Sequence, residues 1–339
     1  MTPHSPSPEP AGRLPQTKEG LLDRAIQTIG QVFGNQTVFM LALLLIMMFT
    51  FSHFSPYFLT TDNLLQITIQ AAVICMLGAG QTFVILTAGI DLGVGSVLAL
   101  VTVVSAIAME GTGGLVPGLI AGLAVGAACG FMNGFIVGKM KVPAFVATLG
   151  MMGVARGLAL IVTSGIPKYN LAPGSEFLGQ GRIGGVPVPT ISVFAIFAAC
   201  YIILTRTKLG RYTYAIGSNP QATLLSGINT SRHLIWVYTI SGITAGLAGL
   251  TELSRLGSGQ PAGGAGYELD AIASVVLGGT SLLGGEGHIL GTLIGGLIIA
   301  SLRNGLNLLN IYAFWQQVAI GAILILAVFA DQLRRGARR

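Results

Sequence analysis

The chain has 339 residues, of which 52% are hydrophobic and only 9% charged, and its mean hydropathy is +0.76. Soluble domains carry roughly 25% charged residues, so this chain has too little polar surface to cover a water-soluble globule, and the bilayer is its natural solvent. The net charge of +6 comes from a few basic residues in loops and at the C-terminus. That distribution fits a topogenic role and argues against a nucleic-acid partner.

Residues 1–36 are polar, contain Pro and Ser, and lack the apolar core of a cleaved signal peptide. They are expected to form a cytoplasmic tail, with a short surface helix at 21–32. About 20 mostly apolar residues are needed to cross the hydrocarbon as a helix, and about ten segments can be drawn, several of them short or glycine-broken. In order they are 38–54, 65–88, 92–109, 115–137, 144–162, 189–204, 233–250, 269–283, 289–309 and 314–330. The expected fold is all-α and polytopic, with one transmembrane domain at 37–331 and a basic cytoplasmic C-terminus at 332–339.

The basic residues test that topology. With both termini inside, Arg13, Lys18, Arg24, Lys139, Lys141, Arg206, Lys208, Arg211, Arg232, Arg334, Arg335, Arg338 and Arg339 all fall inside. Only Lys168, Arg182 and Arg255 fall outside, a strong positive-inside bias. Arg156 and Arg303 lie within spans, where charge is costly and marks either a functional site or a snorkelling side chain. Two connections are long: 165–188, rich in Gly and Pro and expected outside, and 205–232, basic and expected inside.

No motif of an enzyme is present. Gly138-Lys139 is followed by Met140 and preceded at the key position by Asn133, so there is no phosphate-binding loop. The sequence has no H-E-x-x-H and no nucleophile elbow, and His4, His53, His233 and His288 are scattered. Cys75, Cys129 and Cys200 lie in apolar segments without metal-ligand spacing and are expected to be small packing residues.

Most of the 49 glycines sit within apolar runs. Gly118, Gly122, Gly126, Gly130, Gly134 and Gly138 recur every fourth residue and mark one smooth helix face. Gly287, Gly291 and Gly295 repeat the pattern, and Gly242 and Gly246 form a shorter version. Such a face serves tight packing within the subunit, a moving surface or a subunit contact. A second feature is a pair of related breaks, G-x-x-L-x-x-G at Gly89, Leu92 and Gly95 and again at Gly279, Leu282 and Gly285, the latter enclosing Thr280 and Ser281. Breaks of this kind in corresponding halves of a transporter indicate irregular backbone lining a cavity. Asp91, in the first break, is expected to cap the helix that starts near Leu92, ahead of a role in handling substrate or protons.

In the internal loop, Asn219 is a good N-cap, Pro220 a good first helical residue and Gly227 a left-handed stop. They predict a short helix that includes Ala222, Leu225 and Ser226. This helix rests on lipid headgroups or docks a cytoplasmic partner.

Taken together, these motifs resemble a known family. Gly89-Ile90-Asp91-Leu92, with Val94-Gly95-Ser96, is similar to the signature of the ribose-type permeases of bacterial ABC importers. So are Leu209-Gly210-Arg211-Tyr212 through Ile228, Gly266 to Ala273, Gly278-Gly279-Thr280-Ser281-Leu282 and Asn304 to Leu309. The resemblance spans about residues 41–330, with Gly93 departing from the serine more usual in the family. It implies a permease subunit in the bacterial inner membrane, paired with a second copy of itself. ATP and magnesium would be held by a separate cytoplasmic ATPase subunit, and sugar delivered by an extracytoplasmic binding protein. Asn219 to Gly227 would be the coupling helix on the ATPase. Glu252, Arg255, Glu268 and Asp270 would lie near the external face, with Glu252 and Arg255 either docking the binding protein or forming an ordinary ion pair. Ribose or a related monosaccharide is the implied cargo. A carrier driven by an ion gradient is the alternative, disfavoured because the acidic residues cluster at predicted span ends.

Overall fold

A computed structural model of the protein describes residues 36–336; the expected tail, with its surface helix at 21–32, and the last three residues, 337–339, lie outside the described residues. The helices run α1 (Gln36–Phe54), α2 (Thr61–Leu86), α3 (Val94–Thr112), α4 (Leu115–Gly138) and α5 (Ala144–Thr163). A short helix α6 (Phe177–Gln180) and a two-stranded hairpin, β1 (Arg182–Ile183) with β2 (Val186–Pro187), fill the long loop before α7 (Val188–Arg206). Then come α8 (Lys208–Ser218), α9 (Pro220–Leu225), α10 (Thr230–Leu256), α11 (Tyr267–Leu277), α12 (Ile289–Leu308) and α13 (Ala313–Gly336). Among the described residues, 7 helices (α2, α3, α4, α5, α7, α10 and α12) are long and apolar enough to cross a membrane, and α1 and α13 carry shorter apolar stretches. The protein is an all-α, multi-pass membrane protein.

One expected span takes a different form. In place of a helix over 269–283, α11 has 11 residues, about 16 Å at 1.5 Å per residue and half the hydrocarbon thickness. The other half of this crossing is irregular chain. α10 ends at a left-handed Gly257, level with Met109 at the far end of α3. The chain then runs back along α3, Gly259 packing on Thr102 and Ala106, and Gly264 on Gly95 and Leu98. Only there does α11 begin. Pro261 and the glycines at 257, 259, 263, 264 and 266 explain why no helix forms over the first half.

The glycine stripes pack helix on helix inside the protomer. Gly126, Gly130, Gly134 and Gly138 of α4 lie directly on the α10 backbone at Gly242–Gly246, Tyr238–Gly242, Ile235 and Ser231. Gly242 is thus the partner of the longer stripe. Gly291 and Gly295 of α12 meet Gly278 and Ser274 in the same way, whereas Gly287, expected on the same stripe, precedes the helix and packs on Thr280. In lipid, helices gain little from hiding apolar surface, so this close approach and its dispersion contacts hold the bundle together. At the end holding the hairpin, Asn63 of α2 and Asn304 of α12 exchange amide hydrogen bonds, both 2.9 Å.

A Cβ at Gly130 would stand 2.9 Å from Gly242 Cα, whereas one at Gly111 meets nothing. Gly130→Ala is therefore expected to cost about 1–3 kcal/mol through overpacking and to lower the thermal midpoint in detergent by several degrees. Gly111→Ala should leave the midpoint unchanged or raise it. Equal melting of the two variants would disprove the stripe's role in packing.

Candidate functional site

The first break, from Thr87 to Gly93, is irregular chain in which Thr87, Gly89, Asp91 and Gly93 are buried, so its peptide groups cannot all turn to solvent. Side chains from three helices serve it instead. Gln81 of α2, fully buried, accepts from the Asp91 N–H (3.1 Å) and donates to the Asp91 carbonyl (3.3 Å). Thr148 of α5 donates to the Ile90 carbonyl at 3.0 Å. Ser241 of α10 donates to Asp91 Oδ2 at 2.9 Å, while Oδ1 accepts from the Gly93 N–H at 2.9 Å. Asp91 therefore does not cap a helix starting at Leu92. α3 starts two residues later with Gly93 in the cap position, and Asp91 folds the turn and ties it to α10. Gly89 lies close to the Tyr238 hydroxyl, and Gly95 in the first turn of α3 faces Gly264.

The second break, Gly278 to His288, follows α11. Gly279, Gly284 and Gly285 take φ of 90°, 81° and 75°, the left-handed region that favours glycine. The turn closes through Ser281 N–H to the Glu286 carbonyl (2.9 Å) and Gly284 N–H to the Ser281 carbonyl (3.0 Å). Thr280 is buried against Gly287, and Leu282 packs with Ile85 and Ile90.

The two breaks touch, and the basic loop touches both. The Gly285 N–H donates to the Leu86 carbonyl at 3.0 Å. Gly217, near the end of α8, lies against that same carbonyl and the Gly285 amide so closely that no Cβ fits. A Cβ on Gly284 would meet Gly217 Cα at 3.0 Å, and one on Gly285 would meet Ser218 Cα at 2.9 Å. Tyr214 of α8 donates to the Gly287 carbonyl at 2.9 Å, and burial pushes its phenol pKa up, which keeps the proton on the donor. The result is a backbone-to-backbone junction of α2, the second break and α8.

α9 projects from this junction. Asn219 Oδ1 accepts from the Ala222 N–H at 2.9 Å, Pro220 opens the helix, Ser226 ends it, and Gly227 at φ 81° turns the chain away. Thr223 faces inward, while Leu225 is 88% exposed at the tip beside the exposed Gln221, Ala222 and Leu224. Holding a bare leucine on a rigid, capped turn suits docking on another surface.

Of the four residues expected near an external docking face, Glu252 and Arg255 form the ordinary ion pair that was the alternative to docking. Glu252 and Asp270 are 4% and 1% exposed, which removes them from any docking surface. Glu252 receives Arg255 in a two-pronged ion pair (2.9 Å each) and the Tyr267 hydroxyl (3.2 Å). Asp270 receives Arg303 at 2.6 Å. Glu268, half-buried in the first turn of α11, lies against Gly95. Arg156 donates to the Pro261 and Gly263 carbonyls at 2.8 and 2.6 Å, which fixes the irregular half-crossing. Both arginines within the expected spans are thus held by groups of the protein, Arg156 by main-chain carbonyls and Arg303 by Asp270. Gln81, Thr148, Gly217 and Tyr214 are further residues of the site. A buried amide within an apolar helix was the visible signal for Gln81, and the glycine ahead of Ser218-Asn219-Pro220 the one for Gly217.

The family model described as the permease component of branched-chain amino acid transport systems matches residues 63–328. The ribose import permease protein of Escherichia coli K12 is 45% identical over 296 residues, covering 86% of this chain and 92% of the relative. That of Bacillus subtilis 168 is 44% identical over 312 residues, covering 91% and 94%. The D-allose transport system permease protein of Escherichia coli K12 is 39% identical over 299 residues, covering 88% and 91%. No solved structure matches this chain.

Replacing Gln81 by Leu keeps the volume and strands the Asp91 N–H and carbonyl, each costing about 1–3 kcal/mol when buried without a partner. The expected result is a drop of several degrees in thermal midpoint and faster hydrogen exchange at residues 88–93. Wild-type exchange in that segment would mean that the Gln81 amide does not support it.

Proposed function

The chain belongs to this permease family, and on that premise we propose that it is the membrane-spanning subunit of an ATP-driven, binding-protein-dependent importer of ribose or a related monosaccharide. The observation that carries the reading is the junction at Gly217. An exposed, capped helix suited to docking is joined, with no side chain between, to the end of α2 just ahead of the first break and to the second break. Ribose is the chosen cargo because ribose import permeases align along nearly their whole length at 45% and 44% identity.

In this reading a separate ATPase subunit binds ATP and magnesium and grips α9 through Leu225 and its neighbours. Closure of the ATPases pushes α9, and α8 passes the push through Gly217 to the Leu86 carbonyl and the Gly285 amide. Both breaks then move together, because a backbone contact without side chains has no slack to absorb the displacement. The basic residues Lys139, Lys141, Arg206, Lys208, Arg211 and Arg232 support a cytoplasmic position for the α9 end, and in this reading both termini share it. The hairpin end then receives a sugar-binding protein. A second copy of the chain completes the transporter. Gly150, Gly153 and Gly157 on the outer face of α5 support this, since they face away from their own protomer with nothing against them and would let a partner helix approach closely.

The test is sugar uptake into proteoliposomes containing the chain and its ATPase, with ATP beside the ATPase, loaded binding protein on the opposite side and ionophores present. Uptake should require all three proteins and ATP. Uptake by this chain alone, abolished by ionophores, would overturn the reading in favour of a gradient-driven carrier. In the same assay Gly217→Ala should still co-purify with the ATPase yet transport at least about tenfold less sugar per ATP, a loss equivalent to about 1.4 kcal/mol of coupling. Wild-type transport by that variant would remove the junction from the mechanism.

A further inference from the structure

In the half of the bundle nearer the hairpin, a cavity of about 270 Å³ opens between α2, α10, α11, α12 and α13. Its chemistry is unusual for an apolar membrane domain. Gln70, Arg255, Tyr267, Arg303, Asn307 and Gln316 line it, against only Val73, Ile74 and Ala300 as aliphatic wall. The two ion pairs described above stand at its edge, so its charges balance. Gln316 donates to Asn307 Oδ1 at 2.6 Å and to the Ile311 carbonyl at 3.0 Å, which fixes both amides. The Arg303 Nε–H is buried and has no hydrogen-bond partner. Beyond Arg303 lies a second cavity of about 300 Å³, with Asp270, Arg303 and Gln317 on its polar side and Leu269, Ile320, Gly321 and Leu324 on its apolar side. The Asp270–Arg303 pair stands between the two.

The lining selects a class of ligand. A branched-chain amino acid brings an aliphatic side chain that needs an apolar wall, and inserting it here would strip hydrogen bonds from amides and guanidinium groups without replacement. Balanced charge gives little attraction for a lone ion. A hydroxyl both donates and accepts, so several hydroxyls on one small ring can bridge the guanidinium and amide groups of the lining at once. The volume lies just below the range of about 300–1,000 Å³ typical of ligand pockets, which suits one monosaccharide.

We propose that this cavity is a transient binding site for a neutral monosaccharide, and that the Asp270–Arg303 pair is the gate between it and the second cavity. The proposal deepens the importer reading and rests on it. Sugar hydroxyls bound at Arg303 compete for its guanidinium, loosening its hold on Asp270 and opening the route along Gly266 and Leu269.

The first experiment needs no ATPase. The full-length chain in nanodiscs, with Asn307→Cys or separately Gln70→Cys, is labelled by a small hydrophilic thiol reagent; Cys75, Cys129 and Cys200 are buried and form the background. D-ribose at twice its dissociation constant should slow labelling of either reporter about threefold, and L-leucine should not slow it. The second experiment uses the complete importer carrying Asp270→Asn with Arg303→Gln, a double change that leaves no lone buried charge. It should still assemble with the ATPase and hydrolyse ATP, yet move at least about tenfold less sugar per ATP. If ribose protects neither cysteine, or leucine protects equally, while the wild-type importer carries ribose, the cavity is not the site and the importer reading stands. If the wild-type importer carries no sugar, the importer reading itself falls.

Discussion

Peptide groups inside a bilayer must find their partners within the protein, and this constraint governs the whole architecture. Two of the irregular segments, 87–93 before α3 and 257–266 before α11, depend directly on side chains of neighbouring helices. Each survives because polar side chains from neighbouring helices take the place of water. Gln81, Thr148 and Ser241 serve the first segment, and Thr102 and Arg156 the second. These residues look like isolated polar intrusions into apolar helices until the irregular backbone beside them is seen.

The second organising element is the missing side chain. Wherever two parts of the bundle must hold one another closely, at α4 on α10, α11 on α12, and α8 on both breaks, glycine brings main chain onto main chain. Such contacts are stiff. A push at α9 has no rotamers to be absorbed by before it reaches Leu86 and Gly285, which suits a subunit that draws its energy from a reaction on another chain. The left-handed φ at Gly279, Gly284 and Gly285 adds a second reason for glycine in the same loop.

The charged groups divide by depth. Near the hairpin, Glu252, Asp270, Arg255 and Arg303 form two neutral pairs around a polar cavity. Their burial changes their meaning, from surface charges for a docking protein to interior hydrogen-bonding groups in the path of a polar cargo. At the α9 end, exposure does the opposite for Leu225, since an apolar side chain held out on a capped turn is a contact waiting for a partner surface.

Composition and local pattern alone determined the all-α membrane class, nine of the ten apolar segments as helices, the Asn219–Gly227 cap-and-stop, the glycine stripes and the paired breaks. All of these depend on hydrophobic run length, helical spacing or backbone preference, which are local properties that a linear sequence records. The tertiary structure decided the rest. The half-length of α11, the clamp of Gln81 on Asp91, the packing of Gly242 against Gly130, the meeting of Gly217 with both breaks and the burial of Glu252 and Asp270 each join residues distant in the chain. No period or motif encodes such a contact. Only the folded bundle shows whether a carboxylate at a span end faces solvent or a guanidinium, because the neighbouring helix supplies the guanidinium.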